Sequence, residues 1–149
     1  MKLSHINIVA RDADALAAFY VSVFKCDYLR EPTILSGDAV SRGNGLPESE
    51  IYSIWLRLPD CDAPFLEIHQ HRVLHDRQRP KVNEPGFSHL SFQMEDVATV
   101  LSAVTKAGGS QIGQLTDFGS PERPFLIAYV RDPEGNILEL EQPFHRADH

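Results

Sequence analysis

Two histidines and two glutamates carry the chemistry most readily read from this chain: His5, Glu67, His89 and Glu139. Each histidine follows a serine and opens an alternating apolar run, Leu3-Ser4-His5-Ile6-Asn7-Ile8 in one place and Phe87-Ser88-His89-Leu90-Ser91-Phe92 in the other. Each glutamate sits between aliphatic neighbours, in Phe65-Leu66-Glu67-Ile68 and again in Ile137-Leu138-Glu139-Leu140. Imidazole nitrogen and carboxylate oxygen are donors suited to a borderline or harder divalent cation. A lone histidine at a strand start, or a lone glutamate between aliphatics, is ordinarily a solvated or hydrogen-bonded residue. Recurrence of both types in the same order is what points to a metal.

The elements around these residues repeat as well. Side chains alternate faces along a strand. His5, Asn7 and Val9 therefore share one face and Ile6 and Ile8 the other; His89, Ser91 and Gln93 stand opposite Leu90 and Phe92. The same parity sets Glu67 opposite Leu66 and Ile68, and Glu139 opposite Leu138 and Leu140. After the first Ser-His strand, Asp12 to Phe24 reads as a helix with Asp12 as N-cap and Leu16, Phe19, Tyr20 and Val23 on one stripe. After the second, Asp96 to Ala107 carries Val97, Val100, Leu101 and Val104 at i, i+3, i+4 and i+7, and Gly108-Gly109 ends it. If each helix covers the aliphatic face, each half turns one imidazole and one carboxylate to the opposite side. Pairing of the halves would bring the four together, and a cation would relieve the repulsion between two carboxylates.

The fold expectation is thus an α+β chain of two βαβββ modules, forming an open curved mixed sheet with helices outside. The first module spans 1–74, a Pro-bearing polar linker 75–85, the second module 86–143 and a polar tail 144–149. Strands are expected over Tyr52 to Leu58 and Phe125 to Val130, with turns at Pro59 to Pro64 and Asp132 to Asn136. Neither half is large enough to bury a good core alone. Ser36 to Ser49, with Gly37, Gly43, Gly45 and Pro47, reads as a long loop, either a lid or a plain connector. Parity places Trp55, Arg57, Phe65 and His69 near the Glu67 face, an aromatic wall with one arginine. His69, His71 and His75 do not read as a second metal cluster, and His145 and His149 fall in the polar tail.

Composition narrows the partners. A net charge of −7 and 14 scattered basic residues speak against nucleic acid. No apolar run approaches the roughly 20 residues that span a bilayer. Two cysteines, Cys26 and Cys61, and no secretory signal at Met1 to His5 lead to the expectation of a cytoplasmic protein with reduced thiols. Open sheets with strand edges to cover favour a homodimer that takes a small-molecule substrate.

The chain resembles the vicinal oxygen chelate superfamily of glyoxalases, bleomycin-resistance proteins and extradiol dioxygenases. The resemblance runs from Leu3 to about Pro143 and rests on Ser4-His5-Ile6, Ala18-Phe19-Tyr20, Phe65-Leu66-Glu67-Ile68, Gly86-Phe87-Ser88-His89 and, above all, Asp132-Pro133-Glu134-Gly135-Asn136-Ile137-Leu138-Glu139. It implies that His5, Glu67, His89 and Glu139 are the ligands of one divalent metal, Zn, Ni, Co, Mn or Fe, per site. It assigns the proton-abstracting role to Glu139, with Glu67 as its partner on the other side. The implied activity is a glyoxalase-like lyase, isomerase or epimerase acting on a small α-oxygenated carbonyl compound through a metal-stabilised enolate. A non-catalytic antibiotic-binding protein and a ring-cleaving dioxygenase are the alternatives. Val9 stands where glyoxalase I carries an arginine, which argues against a glutathione hemithioacetal as substrate.

Overall fold

The structure is a computed structural model that describes residues 1–144. The chain divides into two compact units, the first Met1–Arg77 and the second beginning at Gln78. Each unit is an α+β layer of one helix-covered mixed sheet, in agreement with the expected fold class. The terminal His145 and His149 lie outside the described residues.

In the first unit, strand β1 (His5–Val9) leads into helix α1 (Ala13–Phe24). Asp12 caps that helix by accepting from the Ala15 amide at 2.9 Å, which satisfies one of the free donors of its first turn. The helix ends at Lys25, whose left-handed backbone (φ 58°) sends its N–H back to the Tyr20 carbonyl. Short strands β2 (Asp27–Tyr28) and β3 (Thr33–Ser36) follow, then helix α2 (Asp38–Asn44) and strands β4 (Glu50–Arg57) and β5 (Phe65–His71). β1 runs parallel to β5, β5 antiparallel to β4, and β2 and β3 both pair with β4. The 36–49 segment, expected to be a loop, thus contains a short helix. Seven residues are too few to show apolar periodicity, and α2 buries none of them, so no hydrophobic stripe marked it.

The second unit repeats the plan without the extra helix: β6 (His89–Gln93), α3 (Val97–Lys106), β7 (Ser110–Asp117), β8 (Leu126–Arg131) and β9 (Ile137–Gln142). Its sheet order is β6-β9-β8-β7, with β6 parallel to β9. Asp96 caps α3 through the Thr99 amide at 3.0 Å. Gly108 (φ 91°) then turns the chain, and a side chain on Gly109 would meet the Arg131 carbonyl at 2.5 Å. Only glycine allows that close approach.

In each unit the core lies between helix and sheet. Leu16 and Tyr20 of α1 and Ile54, Leu56, Leu66 and Ile68 of the sheet are fully buried. Val97 and Val104 of α3 close on Val130, Leu138 and Leu140 in the same way. The parity argument therefore holds strand by strand: the aliphatic side of β5 and of β9 lies under its helix, and Glu67 and Glu139 point to the other side.

Candidate metal centre

Register, rather than proximity along the chain, assembles the surroundings of each glutamate. Parallel pairing of β1 with β5 sets Asn7 beside Glu67 and His5 beside Phe65, and β4 places Trp55 across from Glu67. His5 Nε2 lies 3.3 Å from Glu67 Oε2. Asn7 Nδ2 donates to the same oxygen at 3.1 Å, while Trp55 Nε1 donates to Oε1 at 3.0 Å. Glu67 is only 8% exposed, so these donors stand in for most of its water. His69, two residues along β5 on the same face, brings Nε2 to 3.0 Å from Oε1. Its alignment is not that of a hydrogen bond, which leaves this buried nitrogen without a hydrogen-bond partner.

The second unit builds the same arrangement from different residues. His89 Nε2 lies 3.6 Å from Glu139 Oε2. Ser91 takes the place of Asn7, Tyr129 that of Trp55 and Glu141 that of His69. The Ser91 hydroxyl lies 2.6 Å from Glu141 Oε1 and 3.3 Å from Glu139 Oε1. Tyr129 donates to Glu139; this bond, with burial and the nearby carboxylates, pushes the phenol up to about 12. For Glu139 burial opposes ionisation, yet hydrogen bonds with Tyr129 and Glu141, the charge of His89 and a bond from Ser91 outweigh it. Its carboxyl is held below the ordinary value. A carboxylate acting as a base near neutral pH is helped by a raised value. Glu139 would have to part from these donors to gain one.

The start of the second glutamate strand is set locally. Before β9, the buried Asp132 accepts the Glu134 and Asn136 amides at 2.9 and 3.0 Å and the Asn136 side chain at 2.9 Å. Arg131 meanwhile donates to the Gly135 carbonyl at 2.8 Å, and Gly135 takes φ 90°. This explains the Asp-Pro-Glu-Gly-Asn spelling: an acceptor at the first position, a left-handed residue at the fourth and an amide at the fifth.

The donor geometry suits a cation. Two ligand atoms bound at about 2.1 Å and roughly 90–110° apart are separated by about 3.0–3.4 Å. The His5–Glu67 spacing of 3.3 Å falls in that range and the His89–Glu139 spacing of 3.6 Å just outside it. Each unit by itself supplies a pair. Among the described residues no three His, Cys, Asp or Glu side chains form a ready-made cation cluster. Of the expected wall, Trp55, Phe65 and His69 surround Glu67 as parity placed them. Arg57 is exposed at the end of β4, and the arginine that stacks on Trp55 is Arg30. Arg30 was not singled out from sequence, because it sits between two short strands whose pairing no periodicity revealed. Glu141 and Tyr129 were also missed, although the i+2 spacing of Glu139 and Glu141 on one strand was visible; Ser91 was placed on the His89 face but given no part in the site. His71, next on that face of β5, has its basicity lowered by burial and by His69.

A family model, Glyoxalase/Bleomycin resistance protein/Dioxygenase superfamily, matches residues 2–140. No curated protein matches the chain by sequence. Among solved structures, a glyoxalase family protein from Bacillus cereus superposes with a TM-score of 0.86 at 19% identity, covering 97% of this chain and 95% of that one. A glyoxalase/bleomycin resistance/dioxygenase domain from Frankia has a TM-score of 0.62 at 22% identity, covering 96% and 98%. A variant of the fosfomycin resistance protein FosX from Listeria monocytogenes, complexed with Mn(II) and 1S,2S-dihydroxypropylphosphonic acid, has a TM-score of 0.60 at 17% identity, covering 93% and 89%. At these identities the solved structures speak to the fold alone.

Proposed function

The chain belongs to the glyoxalase/bleomycin resistance protein/dioxygenase superfamily, and we propose that it is a divalent-metal-dependent enzyme of the glyoxalase-like lyase, isomerase or epimerase type, acting on a small α-oxygenated carbonyl compound. In this reading His5, Glu67, His89 and Glu139 are the ligands. The observation that carries it is the repeated pair: an imidazole and a largely buried carboxylate, on the sheet face away from the helix, 3.3 Å apart in the first unit and 3.6 Å apart in the second. The Mn(II) in the FosX complex supports a divalent cation in this fold.

When bound, such a cation supplies Lewis-acid stabilisation of negative charge on substrate oxygens. The protein groups then divide the remaining work. Glu67 is tied by Asn7 and Trp55 and has little freedom to leave its place. Glu139 is the one to exchange a proton with the substrate carbon, since its neighbours Tyr129 and Ser91 are hydroxyls that can re-aim as its charge changes. His5 and His89 are each more exposed than their glutamate and face the solvent side from which a substrate would arrive. Strands β1 and β6 both end their sheets' hydrogen-bonding order, and we read the molecule as a cytoplasmic homodimer in which such edges are covered.

Protein purified without chelators and analysed for metal should contain one divalent ion per site. Glu139→Gln should keep most of the metal and lose turnover on a substrate found by screening α-oxygenated carbonyl compounds. Protein that binds no divalent metal stoichiometrically would remove the enzyme reading and leave a small-molecule binder. Iron-dependent oxygen uptake with a catechol would replace it with ring cleavage.

A further inference from the structure

Across the face that carries Glu67 runs a continuous stack of planar groups. The Arg30 guanidinium lies 3.6 Å from the centroid of the Trp55 ring. Trp55 packs on Phe65 with centroids 4.4 Å apart and an interplanar angle of 33°, and Phe65 packs on His5 at 5.2 Å and 32°. The stack begins at a cation and ends at a candidate ligand. Because Trp55 Nε1 also donates to Glu67 Oε1, a single indole separates the guanidinium from that carboxylate.

Arg30 is held there by its backbone. The preceding Leu29 donates its N–H to the Trp55 carbonyl at 2.9 Å, which extends the β2–β4 pairing and carries residue 30 alongside the indole. The guanidinium is exposed, and among the described residues its side-chain hydrogen bond is a long contact of 3.4 Å from Nη2 to Thr33 Oγ1. Among the described residues no carboxylate forms an ion pair with it, in a chain with 21 acidic and 14 basic residues. A guanidinium whose carbon lies over an indole keeps N–H donors free at its edge, where they match the paired oxygens of a carboxylate or phosphonate. Contact with the indole also restricts the side chain, so less of its freedom is lost on binding.

We propose that Arg30 is the anion-binding residue of this site and that the substrate is a small organic anion, a carboxylate or phosphonate, whose vicinal oxygens reach the metal while its acidic group meets the Arg30 edge. This rests on the metal-centre reading and adds the substrate class to it. The rival role for Arg30 is a clamp that merely steadies Trp55.

Isothermal titration on the full chain with Mn(II) added separates them. Three probes differ in one group: 1,2-dihydroxypropylphosphonate, 2,3-dihydroxybutanoate and the uncharged propane-1,2-diol. The unsubstituted protein should bind at least one anion about 10- to 100-fold more tightly than the diol, as one charge-assisted contact allows; which anion wins tells phosphonate from carboxylate. Arg30→Gln and Arg30→Ala should abolish that preference with the diol and Mn(II) affinities unchanged, and Arg30→Lys should restore part of it. Persistence of the preference in Arg30→Ala overturns the proposal. So does equal weakening of all three probes together with Mn(II), the signature of a clamp, and so does failure of the unsubstituted protein to bind any probe or to tell them apart. Absence of Mn(II) binding would sink the metal centre separately, because the anion-versus-diol comparison can still be read on the metal-free protein.

Discussion

Replacing Trp55 by Phe takes one N–H from Glu67 and leaves a ring to stack on Phe65. The lost bond, 3.0 Å to Oε1, is made to a carboxyl group on a residue that is 8% exposed. Such bonds contribute about 1.5–3 kcal/mol, and water cannot readily replace the donor at so enclosed an oxygen. Asn7 still holds Oε2 and His69 still lies beside Oε1, which favours the lower part of that range, about 1.5–2 kcal/mol. Metal affinity should fall by about 10- to 100-fold, the usual consequence of freeing a ligand from its supporting hydrogen bond. Trp55 is the only tryptophan, so the variant must be followed by circular dichroism in urea and by competition for Mn(II) with a chromophoric chelator. In the unsubstituted protein, the same tryptophan should report Mn(II) binding through its emission. A variant within about 0.5 kcal/mol of the parent in stability, with unaltered metal affinity, would show that the indole only packs and that Glu67 needs no fixing.

The other expectations are quicker to state. Asp132→Ala leaves two backbone amides without their buried acceptor and should cost about 2–4 kcal/mol in urea unfolding; a cost below about 1 kcal/mol would mean the turn holds itself. Burial, and after it the charge of Asp27, pushes the Cys26 thiol up to about 11. The folded chain therefore keeps a proton that the unfolded chain releases near pH 9, and stability should decline as pH rises from about 9 to about 11, by about 2–3 kcal/mol from this group. Cys26→Ala should flatten that slope, and an unchanged slope would assign it elsewhere. Glu139→Gln should separate metal retention from turnover as set out above, and Arg30→Ala should separate anion from diol binding.

What could be read along the chain were the features that depend on local alternation and local capping. The period of two in Leu66-Glu67-Ile68 and Leu138-Glu139-Leu140 assigned each side chain a face, because a strand offers only two. Asp12 and Asp96 marked the starts of α1 and α3, because an unpaired helix N–H needs a nearby acceptor and an aspartate at that position supplies one. The doubling of both patterns then gave two modules from one motif. Helix α2 escaped because it buries nothing, so hydrophobicity left no trace of it.

The neighbours of each glutamate were of another kind. Asn7 and Trp55 meet Glu67 from 60 and 12 positions away, and Ser91 reaches Glu139 from 48. Alternation says which way a side chain faces but leaves open which strand lies beside it and in what register, and only backbone pairing fixes that. The sequence by itself therefore determined the two modules and their helix-covered faces, and it nominated the four donor residues of the proposed site. Tertiary pairing alone decided that Glu67 is ringed by an amide, an indole and an imidazole while Glu139 has a phenol, a hydroxyl and a second carboxylate, and that the stacked cation is Arg30 instead of Arg57.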